Sequence, residues 1–237
     1  MTKLDIVIPA RNEAPTIGDC LRLVMDKLAD ASFDWRVILV DNDSTDGTAE
    51  TATVAIGASD RFCLVREDRP GKGAALVAGF RASKAEYILY MDADLSADLK
   101  HINEFFEQIQ NTGSDMIIGS RLIDPSRVNR SFLRTATSRL FNFAVRLALK
   151  TRVRDTQCGF KMMKMSAIRP ILEKIRETGW FFDTELILLA ERRGLRISEL
   201  PIRWEEQIFR GRRSKLNMLL DSVKTLVMLV RLKQRWG

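Results

Sequence analysis

Five short apolar runs, separated by segments of helical periodicity, limit the folds that are open to this chain. A strand buried on both faces of a parallel sheet has this continuous apolar character. The runs are Leu4–Ala10, Trp35–Val40, Arg61–Val65, Tyr87–Met91 and Asp115–Gly119. Between them, apolar residues recur at helical spacing over 17–28, 74–85 and 98–111. The alternation predicts an α/β fold with a mostly parallel central sheet and helices on both faces.

The alternation ends after Arg121. A long helical pattern covers 130–149, and a further helix is predicted from about 166 to 176. Residues 179–186 lead into a helix that ends at Arg193-Gly194, and a last helix is predicted from 216 to about 233. Residues 196–204 alternate like a half-exposed strand. The length of 237 residues suits one large domain or one domain with an appendage.

Two carboxylates one residue apart, Asp92 and Asp94, follow the fourth apolar run. Residues i and i+2 of an extended chain point to the same side, so the two would repel each other unless a cation lay between them. Oxygen ligands of this kind suit Mg2+ or Mn2+, which commonly hold a diphosphate as well. Taken alone, the pair is equally consistent with an acidic loop after a strand.

Polar groups follow all five predicted strands, and their convergence is the stronger signal. They are 9–13, the cluster 41–46, Glu67-Asp68, Asp92 with Asp94, and Arg121. Ligands of open α/β sheets bind beyond the carboxyl ends of the strands. Each group separately also has an explanation as a turn or a helix cap.

The net charge of +7 is concentrated in two basic segments. Residues 121–154 hold nine basic side chains and one acid, and residues 210–237 hold eight basic side chains and one acid. The rest of the chain is therefore acidic, which indicates an anionic partner that is met on one side. Phosphate, anionic lipid and nucleic acid all satisfy this pattern.

Cysteine usage and hydropathy predict a cytoplasmic location. The three cysteines are scattered and match neither a disulfide framework nor a metal site. Met1–Asp5 leads into a strand without a signal peptide. No apolar run approaches the roughly 20 residues that span a bilayer. We therefore expect a peripheral association if a membrane is involved.

Seven motifs occur in order along the chain. They are PARNE (9–13), VDNDSTDGT (40–48), GKG (71–73), DAD (92–94), GSR (119–121), DTQCGFK (155–161) and FFDTEL (181–186). The ordered set resembles family 2 glycosyltransferases of the GT-A fold, and more closely the polyprenyl-phosphate (dolichyl-phosphate) hexose synthases. The last two motifs are most similar to the dolichyl-phosphate glucose synthase branch.

The resemblance implies a role for each matching residue. The donor nucleotide would be bound by Pro9, Arg11, Glu13, Asp41, Asp43, Lys72 and Asp92. The metal ion, Mg2+ or Mn2+, would be held by Asp92 and Asp94, and catalysis would depend on Asp94 and Arg121. The acceptor phosphate and donor diphosphate would meet Arg121, Arg134, Ser138 and Arg139, and a closing loop with Arg210, Arg212, Arg213, Ser214 and Lys215.

Three departures from the family pattern leave the sugar and a third protein ligand of the metal open. Ser96 stands where some mannose synthases have a metal-binding Gln, Arg69-Pro70 precedes Gly71 where Asn-Arg is common, and Gly211 is displaced by one residue. The residues alone also leave open whether Asp155 and Glu185 are catalytic or structural, and whether Lys72 reaches the donor or caps a turn.

The implied reaction moves a hexose from a nucleotide sugar to a polyprenyl phosphate with inversion. UDP-glucose is the favoured donor, with a UDP-N-acetylhexosamine or GDP-mannose as alternatives. A phosphate nucleophile is already ionised, so no general base is required, and the single histidine, His101, is interpreted as a surface residue. The rival functions are transfer to a soluble acceptor and a catalytically silent scaffold that recruits partners to membranes. Nucleic-acid binding would leave the acidic strand ends unexplained.

The division of the chain follows from these motifs. Residues 1–208 are predicted to form the catalytic domain, and residues 209–237 a basic closing loop with an amphipathic helix. The apolar stripe of that helix is Leu216, Leu219, Leu220, Val223, Leu226, Val227 and Val230. A basic amphipathic helix of this kind lies in a membrane interface or docks on its own domain or on another subunit. A separate membrane protein is the alternative route to the membrane.

Overall fold

A seven-stranded sheet organises the computed structural model, which describes residues 3–123, 127–129, 132–205 and 218–236. The strand order is β3-β2-β1-β4-β7-β5-β8. The strands are β1 (Leu4–Ala10), β2 (Trp35–Asp41), β3 (Phe62–Arg66), β4 (Tyr87–Met91), β5 (Met116–Ser120), β6 (Arg127–Asn129), β7 (Phe160–Lys164), β8 (Ile197–Pro201) and β9 (Arg203–Glu205). The helices are α1 (Ala14–Leu28), α2 (Thr48–Ile56), α3 (Lys72–Ala82), α4 (His101–Asn111), α5 (Phe132–Leu149), α6 (Met165–Leu172), α7 (Phe182–Arg192) and α8 (Met218–Trp236).

The predicted mostly parallel sheet is confirmed, with one exception at its centre. Strand β7 runs antiparallel between β4 and β5, and the sequence did not identify it as a strand. Strands β6 and β9 pair separately as a small parallel ribbon. Helix α2 was also not predicted, because its low apolar periodicity resembles the polar turn that precedes it.

Strand register brings the polar strand ends together. Ala10 lies beside Asp41, and Asp41 lies beside Arg66. Met91, the last residue of β4, lies opposite Phe160, the first residue of β7. In the sheet, β2 and then β3 lie on one side of β1, and β4 lies on the other. This is a topological switch point, the position at which open α/β sheets bind ligands.

An aromatic cluster supports the sheet beneath this position. The rings of Phe80 on α3, Tyr90 on β4 and Phe182 on α7 have centroids 5.9 to 6.5 Å apart. All three side chains are fully buried. Because buried aromatic rings pack at defined angles, they fix the spacing between α3, β4 and α7.

The interpretation of His101 as a surface residue is wrong. Its side chain is buried, and its ring lies 6.4 Å from that of Phe160. Its Nε2 accepts the backbone N–H of Arg203 at 2.8 Å, and its Nδ1 lies 2.5 Å from the Glu104 carboxylate. Helix α4 begins at His101 rather than at Asp98, so the ring shares the inward face with Ile102 and Phe105. Its role is to link α4 to β9.

Helix α8 docks on the catalytic body through its last turns. Leu229 and Leu232 are buried in a cluster with Val145 of α5 and Phe181 at the start of α7. Val227 and Val230, on another face of α8, are 46% and 50% exposed. Of the predicted uses of this helix, docking on its own domain therefore holds for the face with Leu229 and Leu232. No helix within the described ranges combines the length and apolar character needed to cross a bilayer.

Candidate active site

The carboxylate of Asp92 lies where β4 meets the turn before β7. Gly159 occupies the facing position, and a Cβ atom built there would overlap the Asp92 carboxylate. The chain then turns sharply: Leu95 has a φ of 55° and donates its N–H to the Asp92 carbonyl at 3.4 Å. A positive φ is unfavourable for leucine and is typical of functional turns. Asp94 accepts the N–H of Ser96 at 3.1 Å within this turn.

Lys72 neutralises Asp92. Its Nζ lies 2.8 Å from Asp92 Oδ1 and 3.7 Å from Asp183 Oδ2. Burial lowers the pKa of Lys72, but the carboxylates of Asp92 and Asp183 outweigh it, so the pKa is raised and the ammonium stays charged. The sequence left open whether Lys72 reaches the donor or caps a turn, and the structure places it against the predicted metal ligand.

A second buried lysine fixes the turn that faces Asp92. Lys161 Nζ donates to the carbonyl oxygens of Thr156 (3.2 Å) and Cys158 (2.6 Å) and to Asp183 Oδ1 (2.5 Å). The Tyr90 hydroxyl donates to the same Asp183 oxygen. Burial alone would raise the pKa of Asp183, but Lys161 and Lys72 outweigh it and the pKa is lowered. Lys161 and Asp183 both lie within sequence motifs, DTQCGFK and FFDTEL, but the motifs alone did not indicate this pairing.

The site carries an excess of negative charge that a divalent cation would relieve. Burial and the neighbouring Asp94 carboxylate raise the pKa of Asp92, in spite of the opposing effect of Lys72. Among the described residues, no group of three or more His, Cys, Asp or Glu side chains is arranged to hold a metal ion. The chain thus offers two carboxylates, which fits an ion such as Mg2+ that keeps water and substrate phosphates as its other ligands.

Arg121, which follows β5, and Asp155 form a buried bidentate pair. Arg121 Nε and Nη2 each donate to Asp155 at 2.8 Å, and the Arg121 N–H adds a third bond at 3.0 Å. The guanidinium also lies over the Trp204 ring, 4.8 Å from its centroid. Asp155 therefore has a structural role, one of the two alternatives that the sequence left open. Burial raises the pKa of the nearby Cys158 thiol to about 12, which keeps it protonated.

The ends of β1 and β2 carry a second group of the predicted site residues. Arg11 Nη2 lies 3.3 Å from Asp43 Oδ2, and both side chains are about half exposed. The buried Asp41 Oδ1 has no hydrogen-bond partner among the described residues. Pro9 lies in β1, and Glu13 is buried, with its N–H bonded to the Thr48 hydroxyl at 2.9 Å. A cavity of about 180 Å3 adjoins these groups and is lined by Asp41, Asp43, Ser44, Thr48, Ala49, Glu50, Arg66 and Asp68.

Residues 5–172 match the family model described as glycosyl transferase family 2. This chain belongs to glycosyl transferase family 2. The motifs PARNE, DAD, GSR and DTQCGFK that predicted the family all lie within the matched range.

Several curated relatives of this family 2 chain act on dolichyl phosphate by name. Dolichyl-phosphate beta-glucosyltransferase of Dictyostelium discoideum is 29% identical over 248 residues, covering 98% of this chain and 74% of that protein. Its Saccharomyces cerevisiae namesake is 29% identical over 244 residues, covering 93% and 71%. Glycosyltransferase AglD of Haloferax volcanii is 34% identical over 209 residues, covering 86% of this chain and only 33% of AglD. The chain thus spans about a third of AglD.

Solved structures show the same architecture. Glucosyl-3-phosphoglycerate synthase from Mycobacterium tuberculosis, in complex with Mn2+, UDP and glucosyl-3-phosphoglycerate, superposes with a TM-score of 0.71 at 21% identity. The match covers 100% of this chain and 80% of that one. At such identity the likeness shows the fold alone, and it confirms the GT-A architecture that the motifs implied.

The acceptor side of the family 2 chain is described only in part. Ser138 is half-buried and Arg139 is exposed on α5. The Arg134 side chain lies outside the described set, and so do Arg210, Arg212, Arg213, Ser214 and Lys215. Glu185 is structural, because it accepts the N–H groups of Arg176 and Glu177 at 2.8 and 2.7 Å and meets α8.

Asn42 positions the loop before Lys72 and was missed by sequence reasoning. Its side-chain nitrogen donates to the carbonyls of Glu67 (3.0 Å) and Arg69 (2.7 Å), and its oxygen accepts the Gly71 N–H at 2.8 Å. Gly73 allows the next contact, because a Cβ there would overlap the Glu177 carbonyl oxygen and the Phe182 side chain. The partners of Asn42 are more than 20 residues away, so only its place in a polar turn was visible in the sequence.

Proposed function

We propose that this chain transfers a hexose, with inversion, from a nucleotide diphosphate sugar to a polyprenyl or dolichyl phosphate. The observation that carries the proposal is a set of buried charges beyond the ends of β4 and β5. Lys72 pairs with Asp92 at 2.8 Å, and Arg121 pairs with Asp155 at 2.8 Å, four residues before the Gly159 that lies against Asp92. Paired carboxylates and fixed cations at a sheet switch point suit two phosphorylated substrates. The names of the dolichyl-phosphate beta-glucosyltransferase relatives support a glucose donor and a lipid acceptor.

The donor nucleoside occupies the cleft at the ends of β1 and β2. The orphaned Asp41 Oδ1 accepts the imide N–H of the base, which removes the cost of a buried, unpaired carboxylate oxygen. Pro9, Arg11, Glu13 and Asp43 complete this side. UDP-glucose is the donor that we favour.

Asp92 and Asp94 hold Mg2+ or Mn2+ against the donor diphosphate. A bound divalent ion supplies Lewis-acid stabilisation of the leaving diphosphate. Lys72 adds a fixed positive charge beside it. Arg121 is held by two bonds to Asp155, which leaves further guanidinium N–H groups for the acceptor phosphate. The acceptor oxygen is an ionised phosphate, so the chain orients it and supplies no general base.

The remaining assignments concern the acceptor and the membrane. Arg134, Ser138 and Arg139 on α5 meet the acceptor phosphate, and residues 210–215 close over the donor as part of the segment 209–237. Helix α5 also exposes Leu140, Phe143 and Leu147. The protein is peripheral at the cytoplasmic face of a membrane, through these helices or through a separate membrane protein.

Transfer of radiolabel from a panel of UDP- and GDP-sugars to a polyprenyl phosphate tests this function. We expect label in the organic phase that requires Mg2+ or Mn2+, is abolished by EDTA and is lost in Asp94→Ala. Arms with 3-phosphoglycerate and free sugars test the soluble acceptors. Label that stays in the aqueous phase with one of these acceptors would show that the acceptor is soluble and not a lipid. Nucleotide binding without transfer to any acceptor, in vesicles as well as in detergent, would support a catalytically silent scaffold.

A further inference from the structure

Lys72 has two anionic partners and fully engages only one of them. Its Nζ lies within hydrogen-bond distance of Asp92 Oδ1, at 2.8 Å, but 3.7 Å from Asp183 Oδ2. A shift of about 1 Å towards Asp183 would reverse the two distances. The side chain is only 9% exposed, so its ammonium must remain paired with one carboxylate or the other.

Asp183 is built to receive this ammonium. Its Oδ1 accepts from both Tyr90 and Lys161, which fixes the orientation of the carboxylate. Its Oδ2 is buried, has no hydrogen-bond partner among the described residues, and faces Lys72. A buried acceptor left in this state costs free energy that a hydrogen bond would recover.

Two aromatic rings flank the ammonium. The Lys72 Nζ lies 5.9 Å from the centroid of Tyr90 and 5.3 Å from that of Trp180. Tyr90 is buried, whereas Trp180 is 52% exposed. Ring faces attract a cation without fixing it to a single acceptor. They therefore stabilise the ammonium both beside Asp92 and beside Asp183.

We propose that Lys72 is a built-in counter-ion that exchanges partners, pairing with Asp92 in the free protein and with Asp183 once the metal–nucleotide complex has arrived. The proposal rests on the proposed function, because it takes Asp92 as a metal ligand. Asp183 is then a positioning residue that acts through Lys72. The exchange frees Asp92 for the ion and keeps the ammonium beside the donor diphosphate.

Ordered binding is the consequence. In the free protein a metal ion must displace Lys72 from Asp92 without the compensation that a diphosphate provides. With the nucleotide present, the diphosphate supplies ligands to the ion and a new anionic neighbour for Lys72. The site therefore discriminates against the ion alone and accepts the ion together with the nucleotide.

Mn2+ binding, measured by electron paramagnetic resonance on the full chain, tests the exchange. The proteins are the wild type, Lys72→Met, Asp183→Asn and the double variant, each with and without UDP. Without UDP, Lys72→Met should bind Mn2+ roughly tenfold more tightly than the wild type, since the positive charge that contacts the metal-binding Asp92 carboxylate is removed. With UDP, the gain should disappear or become a loss. Lys164→Met, whose ammonium pairs with Asp115 elsewhere, should leave the affinity unchanged.

The double variant separates partner exchange from a general field effect. In the protein that retains Lys72, Asp183→Asn should weaken Mn2+ binding several-fold, because Lys72 then stays paired with Asp92. In the Lys72→Met background, this effect should largely vanish, whereas a simple loss of negative charge would weaken binding equally in both backgrounds. If Asp183→Asn does not fold, as circular dichroism would show, the wild type and Lys72→Met with and without UDP decide the question.

The outcomes distinguish this proposal from the function on which it rests. Equal Mn2+ affinity of the wild type and Lys72→Met in both conditions, with binding abolished by Asp92→Asn, would overturn the exchange and leave the metal site intact. Mn2+ binding that is unaffected by Asp92→Asn would instead remove the metal assignment itself.

Discussion

At the scale of single residues, the placement of Asp92 depends on a neighbour that has no side chain. Gly159 lies against the Asp92 carboxylate, where a Cβ would overlap it. Gly159→Ala should therefore displace Asp92 and lower the transfer rate by roughly a hundredfold, since errors of about 1 Å in a site have effects of this size. Transfer rate and Mn2+ affinity measure the effect.

Gly179→Ala is the matched control for this prediction. A Cβ at Gly179 meets no atom of the described residues within 4 Å, so this variant should keep its rate and its melting temperature. Equal rates for the two variants would show that the Asp92–Gly159 contact does not set the geometry of the site.

Lys161 is the residue whose loss should most affect stability. Its ammonium is fully buried and bonded to Asp183 and to two carbonyl groups. Lys161→Met removes one partner of a buried ion pair, and we expect it to lower the free energy of unfolding by about 3–5 kcal/mol. Lys164→Met, in a more exposed pair with Asp115, should cost about 1 kcal/mol or less. Urea denaturation of both variants measures the difference. Similar losses in the free energy of unfolding would contradict the stabilising role assigned to Lys161.

At the scale of elements, the sequence predicted those strands and helices whose formation depends on a local pattern of apolar residues. The edges of β1, β2 and β4 were visible because continuous apolar runs mark strands that are buried on both faces. Strand β7 was not, because its sequence FKMMK contains two lysines, and the burial of Lys161 depends on Asp183, which is 22 residues away. His101 was misread for the same reason, since its partner Arg203 lies on a distant strand.

The motifs named the residues of the candidate site but could not indicate how these residues pair. Asp92, Asp94, Lys72 and Arg121 came from motifs. The contact between Lys72 and Asp92 and the pair formed by Arg121 and Asp155 depend on strand register and on the packing of α3 against the 177–182 segment. Such contacts join residues that are 20 to 34 positions apart. No local pattern encodes them.

Helix α5 is the element that we expect to meet the lipid. Leu140, Phe143 and Leu147 lie on one face and are 69%, 63% and 73% exposed, with the exposed cations Arg139, Arg146 and Lys150 on the same helix and its end. The double variant Phe143→Ser/Leu147→Ser should bind vesicles of phosphatidylcholine and phosphatidylglycerol at least roughly tenfold more weakly, because burial of such side chains drives interfacial binding. Co-sedimentation measures it.

Val54→Ser provides the control, because it removes an exposed apolar side chain from a helix that has no basic residues. Val54 is 84% exposed on α2, a helix that contains one acid and no basic residue. This variant should bind vesicles like the wild type. Unchanged binding by the α5 variant would show that α5 does not touch the bilayer.

At the scale of the whole molecule, α8 connects the basic C-terminal segment to the catalytic body. Its last turn meets Glu185 through Arg235 at 3.2 Å and through Trp236 Nε1 at 2.9 Å. Glu185 lies in the first turn of α7, two residues after Asp183. The charge of Arg235 is thereby held at a fixed position relative to α7.

If α8 is part of one cooperative body, its buried face must contribute to global stability. Leu232 is fully buried against α5 and Phe181, so Leu232→Ala should lower the free energy of unfolding by about 2–4 kcal/mol and leave a single transition. Val230→Ala, at a position that is 50% exposed, should change it by less than about 0.5 kcal/mol. Denaturation followed by far-ultraviolet circular dichroism and by tryptophan fluorescence measures both. A Leu232→Ala protein with wild-type stability, or with a separate early transition, would mean that α8 folds and moves independently of the catalytic body, and the link from α8 through Glu185 to the site would then be lost.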